Sequence, residues 1–470
     1  MVAVCIAANG KTVNPLQYGL QNARSGEDTY RILYQCHSDA VKMGASISYK
    51  GIDTLRMDIP RDFVPIPLTN DVDFAGVTIF VVNHQKDCSL FTLTEDLQQV
   101  DIKGYEIDNG DYRGNEVLKK GTFLLVVEDQ EPWCGRKGYL SKVVRKDVML
   151  IRNGKASNHP IYNYGTSASN PKGYYRQADT SKKKISNLVF NRTTESEFKT
   201  YCLSIFNLCK VELNNIIVNT PKDDVKFADK AIHIENCTDV KLNNIRINGT
   251  YSQERQYGYG ISLFNISNLK VNRMFGRGNW GVFGAHCLNN VTLIDCDINR
   301  FDIHCYGRDV KAVNCKFTDL YNQLSSVYGP VKFERCTFTD FIPLLIESSY
   351  NAYTPFELIW KNCTFYLDQK HNYLLTLFGV PEPYNERPEL RRKCLPNITV
   401  KNCRVVLADD VDNWYLIKTG EVKYKDSFDY ITDITMKNVK VEGNRNAKFE
   451  MSTEPLKTTK QLKFVNGIRK

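Results

Sequence analysis

The sequence contains no long hydrophobic run, no block of basic residues and no nucleic-acid-binding motif. None of its apolar stretches approaches the roughly 20 residues that a helix needs to cross a bilayer, so we expect no transmembrane helix. Lysine and arginine are dispersed along the 470 residues, and the net charge of +9 favours an anionic partner that is not a nucleic acid. Hydrophobic residues make up 42% of the chain, which is enough for a packed core and argues against extensive disorder.

The cysteine pattern argues against disulfides and metal ligands. The 15 cysteines include no C-x-x-C pair, and their odd number and spacing do not suit a disulfide framework. Most of them fall in a repeated segment, where cysteine behaves as a small buried apolar residue. We therefore predict a stack of buried thiols. Because no cluster of aspartates has the spacing of a calcium site, we expect no metal cofactor, with Ca²⁺ left open as the alternative.

A short frame of alternating apolar and polar residues recurs nine times between residues 211 and 441. One column of this frame consists of Ile216, Ile245, Met274, Cys296, Cys315, Cys336, Cys363, Cys403 and Val439. Consecutive members are 19 to 40 residues apart, which is typical of coils of about 20 residues with insertions at fixed corners. The pattern predicts an all-β parallel β-helix, a solenoid with one turn per repeat. The asparagines of the frame are expected to stack from turn to turn at a corner.

The same pattern divides the chain into one solenoid domain with distinct ends. Residues 1–11 are interpreted as a signal-peptide remnant or a frayed terminus, and residues 12–443 as the β-helix. Within it we expect an N-terminal cap at 12–60, an insertion at 131–184 and regular coils at 185–443. The cap should contain a helix that starts at Ser25 or Asp28 and ends at Gly44. The insertion is either a lid over a polyanion groove or a surface loop held by its aromatic residues, and residues 444–470 should cap the C-terminal end.

A second series of strand segments lies between the repeats and carries a set of polar and aromatic side chains. We align these segments on the inward-facing residues Val282, Ile303 and Leu344, so that strand alternation turns their neighbours outward. The residues that this alignment places on one exposed face, or at its edge, are Asp302, His304, Tyr306, Tyr328, Arg300, Arg308 and Arg277. The sequence therefore predicts a functional site on this face.

The segment around these residues reads NWGVFGAHC and, one turn later, RFDIHCYG. It resembles a segment of bacterial and phage right-handed parallel β-helix proteins of the pectate-lyase-like superfamily, in which an Asn-Trp-Gly turn precedes Arg-Phe-Asp-x-His. The matching positions are Asn279, Trp280, Gly281, Arg300, Phe301, Asp302 and His304. The N-terminal cap, with Glu-Asp-Thr at its helix start, is similar to the cap of the same group. The resemblance implies a right-handed β-helix but no single activity, since the group includes polysaccharide lyases, glycoside hydrolases, tailspikes and non-enzymatic members.

The outward-facing residues fit the chemistry of a polysaccharide lyase better than that of a glycosidase. An inverting glycosidase needs two carboxyl groups about 6.5–9.5 Å apart, whereas Asp302 and Glu347 should lie about 13 Å apart. β-Elimination from a uronic acid needs a base for the C5 proton, an acid for the leaving oxygen and a cation for the carboxylate. We assign His304 as the base, Tyr306 or Tyr328 as the acid, and an arginine of the same face as the cation. Asp302 would orient the arginine or the histidine.

We therefore predict a lyase that cleaves an acidic, uronic-acid-containing polysaccharide of the glycosaminoglycan or pectin type. The predicted catalytic residues are His304, Tyr306, Tyr328, Arg300 and Asp302. The predicted substrate-binding residues are Arg308, Arg277, Trp280, Asn279, Glu347 and His286. The alternatives are an inverting glycoside hydrolase that uses Asp302 with a loop acid, and a non-enzymatic adhesin or tailspike-like glycan-binding protein. We expect a secreted or periplasmic bacterial protein that is a monomer, or a trimer if it is tailspike-like.

Overall fold

The described part of the chain is a right-handed parallel β-helix, as the sequence predicts. The computed structural model describes residues 11–135, 142–165, 170–220, 230–249, 259–277, 281–319, 321–347, 357–378, 395–419, 432–452 and 462–465. The chain divides into two compact units. The first contains residues 1–96, 179–262 and 274–282, and the second contains residues 97–178, 263–273 and 283–470.

Each regular coil passes through three parallel sheets, which we call A, B and C. Sheet A contains the first half of the repeated frame, sheet B follows after a tight corner, and sheet C contains the second series of segments. The strands that run through sheet A are Lys183–Arg192, Val211–Asn219, Ile232–Asn243, Tyr259–Asn272, Gly281–Ile294, Phe301–Val313, Val327–Glu334, Glu357–Lys361, Asn397–Lys401, Thr432–Lys437 and Leu462–Val465. The first two continue into sheet B, and the four from Ile232 to Val313 begin in sheet C.

The remaining coil strands are short because each ends at a corner. Those of sheet B are Arg246–Asn248, Phe275–Arg277, Asp297–Ile298, Lys316–Thr318, Thr337–Thr339, Thr364–Leu367, Arg404–Leu407 and Lys440–Gly443. Those of sheet C are Thr200–Phe206, Tyr321–Leu324, Ile342–Glu347, Tyr373–Phe378, Asn413–Thr419 and Lys448–Ser452. The N-terminal strands are Thr12–Val13, Ser46–Ser48, Thr54–Asp58, Ile66–Pro67, Asp71–Asp73, Thr78–Val82 and Cys88–Thr94.

The corner between sheets A and B is a single residue in the left-handed backbone conformation. Asn215 and Asn244 have φ angles of 54° and 55°, and asparagine tolerates this conformation better than most residues. The amide of Asn215 donates to Asn187 Oδ1 at 2.7 Å, and that of Asn244 donates to Asn215 Oδ1 at 2.8 Å. The predicted asparagine stack is therefore confirmed. It fixes the register of one coil on the next.

The column of frame cysteines lies in the core. Cys296, Cys315, Cys336, Cys363 and Cys403 are each at most 2% exposed. Their thiols donate to backbone carbonyl oxygens, as from Cys363 to Phe333 O at 3.3 Å. The 12 cysteines whose side chains the structure describes are free thiols, and 11 of them are buried. The prediction of stacked buried thiols is confirmed.

The first unit begins with the predicted cap. Two short 3-10 helices, Pro15–Tyr18 and Leu20–Asn22, precede the α-helix Gly26–Met43. Ser25 is the N-cap, since its hydroxyl accepts a hydrogen bond from Asp28 N at 3.0 Å, and Gly44 ends the helix with a φ of 61°. Of the helices in the described ranges, none is long and apolar enough to cross a membrane.

The cap helix carries a buried histidine. Both ring nitrogens of His37 have partners, Tyr49 Oη at 2.7 Å and Pro67 O at 3.0 Å. Burial lowers the pKa of His37 to about 4, although the contact with the Pro67 carbonyl acts in the opposite direction. His37 is therefore neutral at physiological pH.

The inserted segment is a folded element of the second unit. Its five-stranded antiparallel sheet has the order Lys155–Ala156, Lys142–Arg152, Thr122–Gly135, Pro171–Gln177, Gln98–Val100. The helix Gly104–Asn109 packs with this sheet around a core that includes Ile107, Leu125 and Met149. The segment predicted as an insertion from residue 131 thus belongs to a sheet that starts at Gln98. Strand periodicity alone does not distinguish an antiparallel strand from a coil strand.

Replacing Asn215 by alanine is expected to lower the free energy of unfolding by about 1–2 kcal/mol. A Cβ without a compensating side-chain hydrogen bond is disfavoured in the left-handed conformation. Asn215→Gly keeps the conformation accessible and removes only the side-chain hydrogen bonds, so it should cost less. Chemical denaturation of both variants tests this, and equal losses in the two would show that the backbone conformation is not the source.

Protonation of His37 is expected to destabilise the fold in acid. The pKa of His37 is lower in the folded than in the unfolded chain. Its contribution to the free energy of unfolding is therefore complete above pH 6.5 and is lost as the pH falls towards about 4. The loss should reach about 3 kcal/mol. In urea unfolding across this range, His37→Gln should show a shallower pH dependence than the wild type. His84→Gln, at a side chain that is 50% exposed, is the control. If the free energy of unfolding of the His37 variant varied with pH as steeply as that of the wild type, the lowered pKa of His37 would be contradicted.

Candidate functional site

His304 is the extra residue of a β-bulge in sheet C. In the pairing of Gly281–Ile294 with Phe301–Val313, Gly284 and Ala285 lie beside Asp302 and Ile303, but His286 lies beside Cys305. One residue, His304, is therefore left without an opposite number in the neighbouring coil. Its side chain remains 16% exposed. The predicted alignment of Val282 with Ile303 is wrong, because the residue that pairs with Ile303 on the neighbouring strand is Ala285.

The carboxylate of Asp302 lies between Arg300 and His304. Its Oδ2 is 2.6 Å from Arg300 Nε and 3.4 Å from His304 Nε2. The side chains of Arg300 and Asp302 are 1% and 0% exposed. The prediction that Arg300 and Asp302 lie on an exposed face is wrong, since both are buried beneath His304. A substrate therefore cannot contact this ion pair directly.

Further contacts fix the guanidinium of Arg300. Its Nη2 donates to Gln323 Oε1 at 2.7 Å, and its Cζ lies 4.1 Å from the centre of the Tyr321 ring. Burial alone would raise the pKa of Asp302, but the positive charge of Arg300 and the interaction with His304 outweigh it and lower the pKa. Asp302 is therefore a buried, permanently ionised carboxylate at neutral pH.

His286 stacks beneath His304 on the same sheet. Its ring centre is 5.4 Å from that of His304 and 5.0 Å from that of Phe264, with interplanar angles of 26° and 27°. Its Nδ1 is 3.6 Å from Cys305 Sγ. Loss of solvent lowers the pKa of His286 to about 3; the neighbouring His304 acts in the same direction and Asp302 in the opposite one. His286 is thus a neutral support for His304.

The two candidate tyrosines do not present their hydroxyl groups to solvent. Tyr306 is 1% exposed, has a φ of 62° and packs with Ile161, Cys287 and Cys305. Tyr328 is partly buried, but its hydroxyl oxygen, like that of Tyr306, is buried. The prediction that Tyr306 lies on the exposed face beside His304 is therefore wrong, whereas Tyr328 is partly exposed with its hydroxyl group buried. A bulky residue in the left-handed conformation costs about 1–2 kcal/mol, which the packing around Tyr306 offsets.

The inserted segment covers this corner. Arg308 Nη1 donates to Pro160 O at 3.2 Å and to Ile161 O at 3.3 Å, and Asn289 Nδ2 donates to His159 O at 2.6 Å. These contacts explain why Tyr306 is buried. Sequence alternation could not reveal them, because they join residues about 150 positions apart.

Two buried charged residues of the insertion, which are not among the predicted site residues, hold the covering loop. Asp147 accepts hydrogen bonds from Ile161 N at 2.9 Å and Tyr164 Oη at 2.8 Å. Burial raises the pKa of Asp147 to about 7, against the opposing effects of these bonds and of two arginines. Arg145 forms a buried ion pair with Asp129, and its Cζ lies 5.1 Å from the Tyr162 ring. In the sequence, Arg145 and Asp147 stand out only as charged residues within the largely apolar strand VVRKDVMLIR.

The other predicted site residues are not brought together by the described contacts. Arg277, in the first unit, donates to Gly276 O at 2.9 Å and lies 5.2 Å from the Phe275 ring. Glu347 ends a sheet C strand and pairs with Phe378. Asn279 and Trp280 lie outside the described residues. Within the described ranges, no group of three or more histidine, cysteine or acidic side chains is arranged to bind a metal ion.

The arrangement can transfer a proton at His304. A neutral imidazole can accept a proton, and the adjacent Asp302 carboxylate would stabilise the resulting imidazolium. Nδ1 of His304 is buried and Nε2 lies 3.4 Å from Asp302 Oδ2, so Nε2 can accept a proton only in the tautomer that carries its hydrogen on Nδ1. The bulge positions this edge, and the Asp302 carboxylate lies beside it.

No protein-family model and no curated protein sequence matches this chain. Among solved structures, it is similar to the tailspike gp61 of Pseudomonas phage phi297, with a TM-score of 0.51 and 13% identity over 92% of this chain and 80% of that one. The tailspike protein gp49 of Pseudomonas phage LKA1 gives a TM-score of 0.49 and 12% identity, over 92% of this chain and 76% of that one. PfbA, a surface adhesin of Streptococcus pneumoniae, gives a TM-score of 0.40 and 9% identity, over 93% of each chain. Together with the coil geometry, the similarity to gp61 identifies the fold: the chain is a right-handed parallel β-helix protein.

Proposed function

We propose that the protein cleaves an acidic polysaccharide by β-elimination and that His304 moves the proton. The observation that carries this proposal is the partly exposed imidazole of His304, set by a β-bulge 3.4 Å from the buried carboxylate of Asp302. Ordinary surface histidines lack such a buried anion. The net charge of +9 and the fold, shared with a phage tailspike, also suit an extended anionic polymer.

The proposed step starts with a neutral His304 that carries its hydrogen on Nδ1, so that Nε2 can accept a proton and the resulting N–H faces Asp302. Its Nε2 takes the C5 proton of a uronic acid residue, the electrons of the C5–H bond form a C4=C5 double bond, and the C4–O bond to the leaving sugar breaks. The imidazolium then gives its proton to the leaving oxygen. Asp302 stabilises the imidazolium between these events, and Arg300 keeps Asp302 ionised.

A single residue performs both proton transfers in this proposal because the two tyrosine hydroxyls are buried. One imidazole can serve both steps when the C5 proton and the leaving oxygen lie on the same face of the sugar ring, which is the case in glucuronic acid and not in galacturonic acid. The proposed step therefore favours the glycosaminoglycan class over pectin. Tyr306 and Tyr328 then shape the wall next to the site and do not act as acids.

Arg308 is the proposed partner of the substrate carboxylate. Arg300 is buried, whereas the side chain of Arg308 is 35% exposed. Its Nη1 is anchored by two backbone carbonyls of the insertion, which holds the guanidinium plane in place. Nε of Arg308 lies 3.7 Å from Asp309 Oδ2, so Nη2 is the group that would donate a charge-assisted hydrogen bond to the substrate carboxylate.

Two alternatives from the sequence remain to be separated from this proposal. A glycosidase that uses Asp302 as acid or base is disfavoured, because that carboxylate is fully buried and its pKa is lowered. A non-enzymatic glycan-binding protein would need only the surface and not the proton-transfer site. Polysaccharides of the glycosaminoglycan class lie outside the cytoplasm, so we propose a secreted or periplasmic location.

His304→Gln is expected to reduce formation of unsaturated uronic products at least about 100-fold, because the proton acceptor is removed. The measurement is the ultraviolet absorbance of the new C4=C5 bond during digestion of hyaluronan, chondroitin sulfates, heparan sulfate, alginate and pectins. His84→Gln, at an exposed histidine in the first unit, is the matched control. Activity that survives in the His304 variant would contradict the assignment of the base. If none of the polymers were cleaved, the proposed lyase activity would be contradicted and a glycan-binding function would be favoured.

Asp302→Asn is expected to lower kcat by about 10- to 1,000-fold with little change in KM, because it removes the charge that stabilises the imidazolium but not the substrate contacts. It also leaves Arg300 buried without its anion, which costs about 3–5 kcal/mol of stability. Steady-state kinetics should therefore be compared below the unfolding transition, with circular dichroism to confirm the fold. An unchanged kcat would contradict the proposed role of Asp302.

A further inference from the structure

Sheet A of the second unit carries a row of lysines on consecutive coils. Lys361 pairs in register with Lys401, and Lys401 pairs in register with Lys437. All three residues are exposed. Adjacent strands of a sheet are about 4.8 Å apart, so each of these side chains starts from a point one strand spacing from the next. We call Lys361, Lys401 and Lys437 the lysine row.

The lysine row is an unfavourable arrangement for a surface that binds nothing. Like charges directly opposite each other on neighbouring strands destabilise a sheet. In the first unit, the sheet A residues at the same position, directly before the corner residue, are the uncharged Ser186, Asn214 and Asn243. In the second unit, by contrast, neither Lys401 nor Lys437 forms an ion pair within the described residues.

Acidic side chains around the lysine row are too few to neutralise it. Glu334, which precedes Lys361 in the row, is shared by Arg335 at 2.7 Å, Lys361 at 3.8 Å and Lys311 at 4.0 Å. Across the corner, the carboxylate of Glu442 is shared by two further cations, Arg404 and Lys440, each at 2.7 Å. The corner therefore carries an excess of positive charge.

The remaining acids of these strands lie at their opposite ends. Glu357 and Asp433 are each four residues before a lysine of the row, which corresponds to about 13 Å along a strand. That distance exceeds the screening length of about 8–10 Å at physiological ionic strength. These acids consequently do little to offset the potential at the lysine row.

No long loop rises beside the lysine row at the corner between sheets A and B. In each of these coils the chain passes from sheet A to sheet B through an Asn-Cys or Asn-Val pair, with Asn362, Asn402 and Asn438 at φ angles of 53–55°. A polymer that runs along the solenoid would therefore meet an open strip of cations.

We propose that the lysine row binds an extended acidic polysaccharide at a site distinct from the His304 centre on sheet C. The regular spacing of about 4.8 Å is comparable with the length of one sugar unit in an extended chain, so successive anionic sugars can each face one lysine. Phosphates on one DNA strand are about 3.4 Å apart along the helix axis and would fall out of register. The proposal rests on the proposed function only for the class of polymer, and it supplies a holding site for that polymer.

Binding of dextran sulfate tests the proposal independently of catalysis, because this polyanion contains no uronic acid and cannot undergo β-elimination. The triple variant Lys361→Gln, Lys401→Gln, Lys437→Gln should bind it about tenfold more weakly than the wild type at low ionic strength, and the difference should vanish in high salt. A control triple variant with the same charge change, Lys50→Gln, Lys120→Gln, Lys172→Gln, should lose less than about twofold. These control lysines are exposed and lie far apart in sequence. Neutral dextran should not bind either protein.

Three results would overturn the proposal. Unchanged affinity in the row variant would show that the lysine row does not bind the polymer. An equal loss in the control variant would show that only net charge matters. Tighter binding of oligothymidylate than of dextran sulfate, lost in the row variant, would assign the surface to nucleic acid. If the protein cleaved no polymer but its dextran sulfate binding depended on the lysine row, the proposed lyase activity would be refuted and the proposed role of the lysine row would stand.

Discussion

A single residue in the left-handed conformation turns each coil from sheet A into sheet B, and the rest of the structure depends on this constraint. An asparagine there satisfies the backbone geometry and hydrogen-bonds the asparagine of the next coil, as in the series Asn187, Asn215 and Asn244. The coils are thereby held in one register. Residues many positions apart in sequence then form straight columns. The buried thiols, the candidate site and the lysine row are all consequences of this stacking.

The same constraint explains which features the sequence could predict. Apolar alternation and a recurring asparagine are local signals, so they predicted the coils, the corner and the buried position of Cys315 and its equivalents. The cap helix was predictable because Ser25 and Gly44 mark its ends. The exposure of the site residues was not predictable from the sequence, because the bulge at His304 shifts the inward and outward alternation of the side chains by one residue. The insertion then buries Tyr306 through contacts that no periodicity encodes.

Two buried carboxylates show how local charge decides ionisation in this fold. Both Asp302 and Asp147 lose their solvent, which by itself raises the pKa of a carboxyl group. Arg300 forms an ion pair with Asp302 at 2.6 Å and reverses this effect, whereas the partners of Asp147 reduce it without reversing it. The carboxylate beside His304 therefore stays charged, and the one that holds the covering loop titrates near neutral pH. This difference fits the proposed role of Asp302 beside His304 and the structural role of Asp147 in the loop.

The central claim, that His304 above a buried ion pair catalyses elimination, can be tested most directly by digestion in isotopically labelled water. Mass spectrometry of the products of an acidic polysaccharide then distinguishes elimination from hydrolysis. Elimination uses no water, so the account predicts new ends that are unsaturated and carry no heavy oxygen. Incorporation of one heavy oxygen atom per cleaved bond would show hydrolysis and would contradict the account.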